Sequence, residues 1–211
     1  VTANLRVDGS SIFGPDQRWG YFPSFSAGWR LSNEEFFKNI EFVNDLKIRA
    51  GWGLVGNDQI ANYAYLGRVG NGANYPFGGV AQPGTFPASI ENLSLKWEES
   101  AQTNIGIDLS ILDNKIGLTV DAYIKNTKDL LLNAPLPTSS GFESAFQNIG
   151  ELQNKGLEIT LQTANINTEE LNWNSSFNIS FNRNEVINLV GQELFQGGIA
   201  GGRGEASLVR E

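Results

Sequence analysis

Apolar side chains recur at every second position over long stretches of this chain, and each stretch predicts a strand with one apolar and one polar face. Between Trp19 and Leu31 the odd positions read Trp, Tyr, Pro, Phe, Ala, Trp and Leu, whereas the even ones read Gly, Phe, Ser, Ser, Gly and Arg. Leu46, Ile48, Ala50, Trp52 and Leu54 alternate with Lys47, Arg49, Gly51 and Gly53. Ile105, Ile107, Leu109 and Ile111 alternate with Gly106, Asp108 and Ser110, and Leu118, Val120, Ala122 and Ile124 with Thr119, Asp121 and Tyr123. The same period joins Ala3, Leu5 and Val7, then Leu157, Ile159 and Leu161, then Phe177, Ile179 and Phe181. Seven strands are expected, over residues 1–8, 19–31, 45–55, 94–111, 116–131, 154–166 and 172–186.

The connections alternate in length. Residues 112–115 and 167–171 are short turns; residues 56–93, 132–153 and 187–211 are long and rich in Gly, Asn and Pro; residues 9–18 are intermediate. In residues 32–44 the Ser32-to-Glu35 spacing, followed by Phe36, Phe37, Ile40 and Val43, admits one short helix. Strands that run up and down, with short turns at one end and long loops at the other, predict an all-β, antiparallel transmembrane up-and-down β-barrel. The alternative is a soluble all-β carbohydrate-binding or adhesin module built as a β-sandwich, which also alternates, but sandwich strands are usually about five or six residues long, roughly half the length seen here.

The tryptophans support a membrane. Trp19, Trp52 and Trp97 fall at the long-loop ends and Trp29 and Trp173 at the short-turn ends, all on the apolar parity. From Trp19 to Trp29 is roughly 33 Å of strand at about 3.3 Å per residue. Tilted by about 40°, it projects to about 25 Å, the height of an outer-membrane apolar band. All five are expected to be membrane-interface aromatics, because an indole ring is apolar at one end and hydrogen-bonds at the other.

Composition narrows the chemistry. The 211 residues include no Cys, no His and no Met. Without Cys there is no disulfide, thiol nucleophile or zinc finger; without His there is no Ser-His-Asp triad and no His-ligated metal or haem. No cofactor is expected. Fifteen basic residues against 23 acidic ones, net −8, with no basic cluster, argue against nucleic acid. Glu98 and Glu99 are adjacent and point to opposite faces of a strand, so they are no glycosidase pair, and no enzyme is expected. The Gly-rich stretch 197–204 matches no phosphate-binding fingerprint and reads as a flexible loop. Arg30, Lys47, Arg49, Asp108, Asp121, Lys125 and Glu158 form a solvated charge ladder on the polar face. In loop 56–93, Tyr63, Tyr65, Tyr75, Phe77 and Phe86 are candidate contacts for a ligand or a partner, since aromatic faces stack on sugar rings and on each other.

Longer stretches carry a resemblance. They are DGSSIFGPDQRWGYFPSFSAGWRLSNEEFF (Asp8–Phe37), LKIRAGWGLVGNDQI (Leu46–Ile60), LKWEESAQTNIGIDL (Leu95–Leu109), DAYIKNTKDLLL (Asp121–Leu132), NIGELQNKGLEI (Asn148–Ile159) and WNSSFNISFNRNEVINL (Trp173–Leu189). In this order they resemble the SusC/RagA family of TonB-linked outer-membrane proteins over nearly the whole chain. The resemblance implies a 22-stranded barrel closed by an N-terminal plug. It also implies glycan or peptide uptake across the outer membrane, a SusD-like surface lipoprotein over the mouth, and energy from TonB. About seven strands, with no plug or TonB box among them, are expected to be one part of that barrel, cut from a longer gene product.

Overall fold

The structure, a computed structural model, describes residues 1–37 and 40–188; the Gly-rich stretch 197–204 and the expected final loop after Asn188 lie outside the described residues. Seven long strands form one antiparallel sheet. They are β1 (Thr2–Gly9), β2 (Trp19–Arg30), β3 (Val43–Asn57), β8 (Glu98–Ile111), β9 (Ile116–Lys128), β12 (Glu151–Asn167) and β13 (Asn172–Asn188), hydrogen-bonded in that order. Each strand pairs with its predecessor in the sheet, which is the up-and-down topology that the alternating connections demand.

Register converts parity into rows of side chains. Trp29, Ile48, Ile107, Val120, Ile159 and Ile179 lie side by side across six strands. On the opposite face the neighbouring row reads Gly28, Arg49, Gly106, Asp121, Glu158 and Ser180. The apolar face has no second layer on it among the described residues: on the interior strands Ile105 is 55% exposed and Ile124 47%. A sandwich would bury these side chains; here they form an uncovered wall.

At the short-turn end, Leu112, Asp113 and Asn114 all adopt positive φ. Such a run suits the right-handed twist of the flanking strands. Asn114 accepts the Ser110 hydroxyl at 2.7 Å, and its backbone N–H donates to Asn44 Oδ1 at 3.1 Å. Among the described residues of 32–44, two 3₁₀ turns, Leu31–Asn33 and Glu35–Phe37, stand where the helix is expected. The reason is local: the Ser32 hydroxyl, instead of capping a helix, donates to Asp45 at 2.8 Å, and Glu34 accepts the Trp29 indole N–H at 2.9 Å.

The long-loop end holds more order than expected. Residues 56–93 contain β4 (Val69–Asn71), β5 (Tyr75–Phe77), β6 (Val80–Gln82) and β7 (Thr85–Pro87), which form two small ladders, β4 with β7 and β5 with β6. Residues 131–148 form a hairpin of β10 (Leu131–Pro135) and β11 (Ser144–Asn148) around the turn at Pro137–Gly141. The main strands also shift at their ends: β9 stops at Lys128, β12 starts early at Glu151, and β8 starts at Glu98 rather than 94.

Candidate functional site

Two places on the polar side concentrate charge and hydrogen bonds. The first lies midway along the wall. Arg49 bridges two carboxylates, with Nε to Asp108 at 2.7 Å and Nη2 to Asp121 at 2.9 Å. Thr119 adds a hydroxyl to Asp108 at 3.3 Å. The guanidinium crosses above Gly106, where a Cβ would run into both Asp121 and Arg49. The fork geometry of arginine lets one side chain on β3 tie β8 to β9. The expected charge ladder is thus a bonded network at Arg49, Asp108 and Asp121.

The second place is the base of the loops. Above the Ser24–Gly53 pair, β2 leaves β3 and pairs only with β1, while β3 continues with β8 up to the Asn57–Glu98 pair. The fork between them is filled by Phe13, Phe22, Ala64, Tyr65, Leu95 and Trp97. Phe13 and Phe22 each sit 5.4 Å from the Trp97 ring. Phe22 leaves no room for a Cβ at Gly20 or Gly56. Two hydrogen bonds close the fork: Ser10 donates to Asp58 at 2.7 Å, and the Trp97 indole donates to the Arg18 carbonyl at 3.2 Å.

This cluster corrects two expectations. Trp97, only 8% exposed, is the centre of the cluster and not an interfacial ring. It precedes β8, so the strand's parity does not govern where it points. Tyr65 is 9% exposed and belongs to the same cluster, which removes it from the surface available to a ligand. Tyr63, Tyr75, Phe77 and Phe86 remain exposed, on a turn and on the two small ladders. Trp19, Trp29, Trp52 and Trp173 are exposed on the apolar parity; Trp52 stacks on Phe25 with ring centroids 6.0 Å apart.

Asn148 carries no signal in the sequence that sets it apart from the other asparagines. Its side-chain amide bonds the Lys96 backbone as a strand neighbour would, accepting the Lys96 N–H at 2.9 Å and donating to the Lys96 carbonyl at 2.8 Å. It also donates to the Asp129 carbonyl at 2.9 Å. Glu98 accepts the Leu131 N–H at 3.1 Å and the Asn57 amide at 3.2 Å, a structural task for this carboxylate. These groups tie the β10–β11 hairpin to the top of β8. Asn148→Ala is expected to cost about 1–2 kcal/mol locally. Hydrogen exchange in the full-length protein should then show faster exchange over 129–150 and unchanged protection in the wall. Equal exchange in the two proteins would refute the bridging role.

A bare apolar face, a polar face held by ion pairs, short turns at one end and anchored loops at the other define a section of transmembrane β-barrel wall. The family described as TonB dependent receptor-like, beta-barrel matches residues 1–201, and the chain belongs to it. Among curated relatives, the TonB-dependent receptor P39 of Formosa agariphila is 39% identical over 198 residues, 94% of this chain and 19% of that protein. The TonB-dependent receptor SusC of Bacteroides thetaiotaomicron is also 39% identical, over 90% of this chain and 19% of its own length. A solved structure of the RagAB peptide importer in its open-open state superposes with a TM-score of 0.80 at 30% identity, covering 90% of this chain and 20% of that one. The chain spans about a fifth of the length of these relatives. They are receptors and an importer by name, and the SusC/RagA resemblance is shown.

Proposed function

We propose that the whole protein is an outer-membrane, TonB-dependent importer of oligosaccharides or peptides, and that these residues supply part of its barrel wall and external loops. The observation that carries this is the two-faced wall. Its outer rows are apolar and uncovered, as acyl chains require, while its inner rows carry Arg49, Asp108, Asp121 and Glu158, as a hydrated passage requires. The RagAB relative is a peptide importer, and the sugar alternative follows from the resemblance to the SusC/RagA family. A SusD-like surface lipoprotein would sit over the loop end. TonB would act through a plug supplied elsewhere in the full-length protein.

In this proposal the exposed rings Tyr63, Tyr75, Phe77 and Phe86 meet the substrate or the lipoprotein, and Trp19, Trp29, Trp52 and Trp173 mark the membrane boundaries. The test is fractionation and uptake with the full-length protein. It should sediment with the outer membrane, and replacing residues 69–87 by a short Gly-Ser link should abolish uptake of labelled oligosaccharide or peptide pools without releasing the protein from that fraction. Recovery in a soluble fraction would sink the importer, and undiminished uptake would sink the loop contact.

A further inference from the structure

The outer face carries a feature that a plain lipid wall does not need. A groove of about 450 Å³ runs across β8, β9, β12 and β13, floored by Ile105, Ile124, Leu157 and Phe181 and rimmed by Lys155 and Arg183. Lys155 and Arg183 are register partners on the same parity as Leu157 and Phe181, so both cations project from the apolar side. One carboxylate serves both: Glu185 lies 3.8 Å from Lys155 Nζ and 4.0 Å from Arg183 Nε. These contacts are long, and among the described residues two cations against one anion leave a positive charge over. The next acidic groups along the strands, Glu99 and Glu151, are both register partners of Lys128, and Glu151 lies 3.6 Å from it.

The height of the pair gives it meaning. Along β13, Arg183 follows Trp173 by as many residues as separate Trp29 from Trp19. With Trp173 at the short-turn boundary, Arg183 stands about 25 Å above it, at the outer edge of the apolar band. Lysine and arginine at such an edge stretch their heads toward the headgroup layer and lay their stems on apolar surface. A guanidinium and an ammonium side by side above an apolar groove match a phosphate carried on acyl chains.

We propose that this groove holds a phosphate-bearing lipid of the outer leaflet, its acyl chain along Ile105, Ile124, Leu157 and Phe181 and its phosphate between Lys155 and Arg183. The proposal rests on the outer-membrane placement above. The experiment uses the full-length protein in detergent, with native mass spectrometry after addition of a phosphorylated diglucosamine lipid, its dephosphorylated form, or inorganic phosphate alone. Wild type is expected to retain the phosphorylated lipid, and Lys155→Gln with Arg183→Gln to lose about tenfold in retention. Lys128→Gln, above the groove, should retain it as wild type does, and a heat-modifiable gel shift should show all variants folded.

Equal retention by the double variant, or equal retention of the dephosphorylated lipid, would overturn the proposal. Inorganic phosphate binding as well as the lipid would overturn the lipid as occupant, and so would a photocrosslinker at Phe181 that captures protein in the membrane. If the protein fractionates with the outer membrane and still retains no lipid, the groove fails while the importer stands. Recovery in a soluble fraction removes both.

Discussion

Ile179→Arg in the full-length protein should lower barrel stability by about 2–4 kcal/mol, while Ser180→Arg, one residue on, should change it by no more than about 0.5 kcal/mol. Ile179 pairs with Ile159 and lies about midway along β13 between Trp173 and Arg183, where an arginine would sit in hydrocarbon near the bilayer centre. Ser180 pairs with Glu158 on the polar face, so an arginine there gains water and a carboxylate. Urea titration of the refolded protein in lipid vesicles reads both. Equal losses at the two positions would contradict the assignment of faces.

The second large effect is expected at Trp97. Trp97→Ala removes the ring that Phe13 and Phe22 both pack on, together with the hydrogen bond to Arg18. Loss of a buried tryptophan costs about 3–5 kcal/mol, and the opening it causes should be local, confined to the loop base. Trp97→Phe keeps a ring but gives up the indole N–H and some volume, at about 1–2 kcal/mol. Limited proteolysis of the full-length protein is the readout: Trp97→Ala should admit cleavage within 58–97 and spare β8 and β9. A cleavage pattern identical to wild type would show that the cluster does not hold the loops.

The rows of the wall were legible in the sequence because period two needs only parity. Once Ile107 and Ile48 are both on the apolar parity, an antiparallel register brings them together without further information. The polar network was legible as a set of inward charges, though not as bonds; that Arg49 reaches Asp108 and Asp121 depends on Gly106 leaving the space, a matter of cross-strand register and not of parity. The loop base was opaque for a different reason. Phe22 was the one visible signal, an aromatic ring on the polar parity of its strand, and it had no meaning until β2 and β3 were seen to part above Ser24. Trp97 falls on the apolar parity only when the alternation is carried past the true start of β8 at Glu98. Asn148 imitates a backbone with its side chain, and nothing about an asparagine among many announces that. The hairpin of β10 and β11 hid behind Pro135, Pro137 and Gly141, which mark its turn as readily as they mark an irregular loop.

The attachment of the loops divides the chain into parts with different freedom to diversify. Asn148, Glu98 and Trp97 hold the loop bases, and Ser89 closes the foot of the small ladders by accepting the Arg68 N–H and donating to the Leu66 carbonyl. Everything from Val69 to Pro87 stands beyond those ties. Insertions, deletions and changes of sequence there leave every bond of the anchor and every row of the wall in place. One wall can thus carry many different loop tips with no change to its own rows.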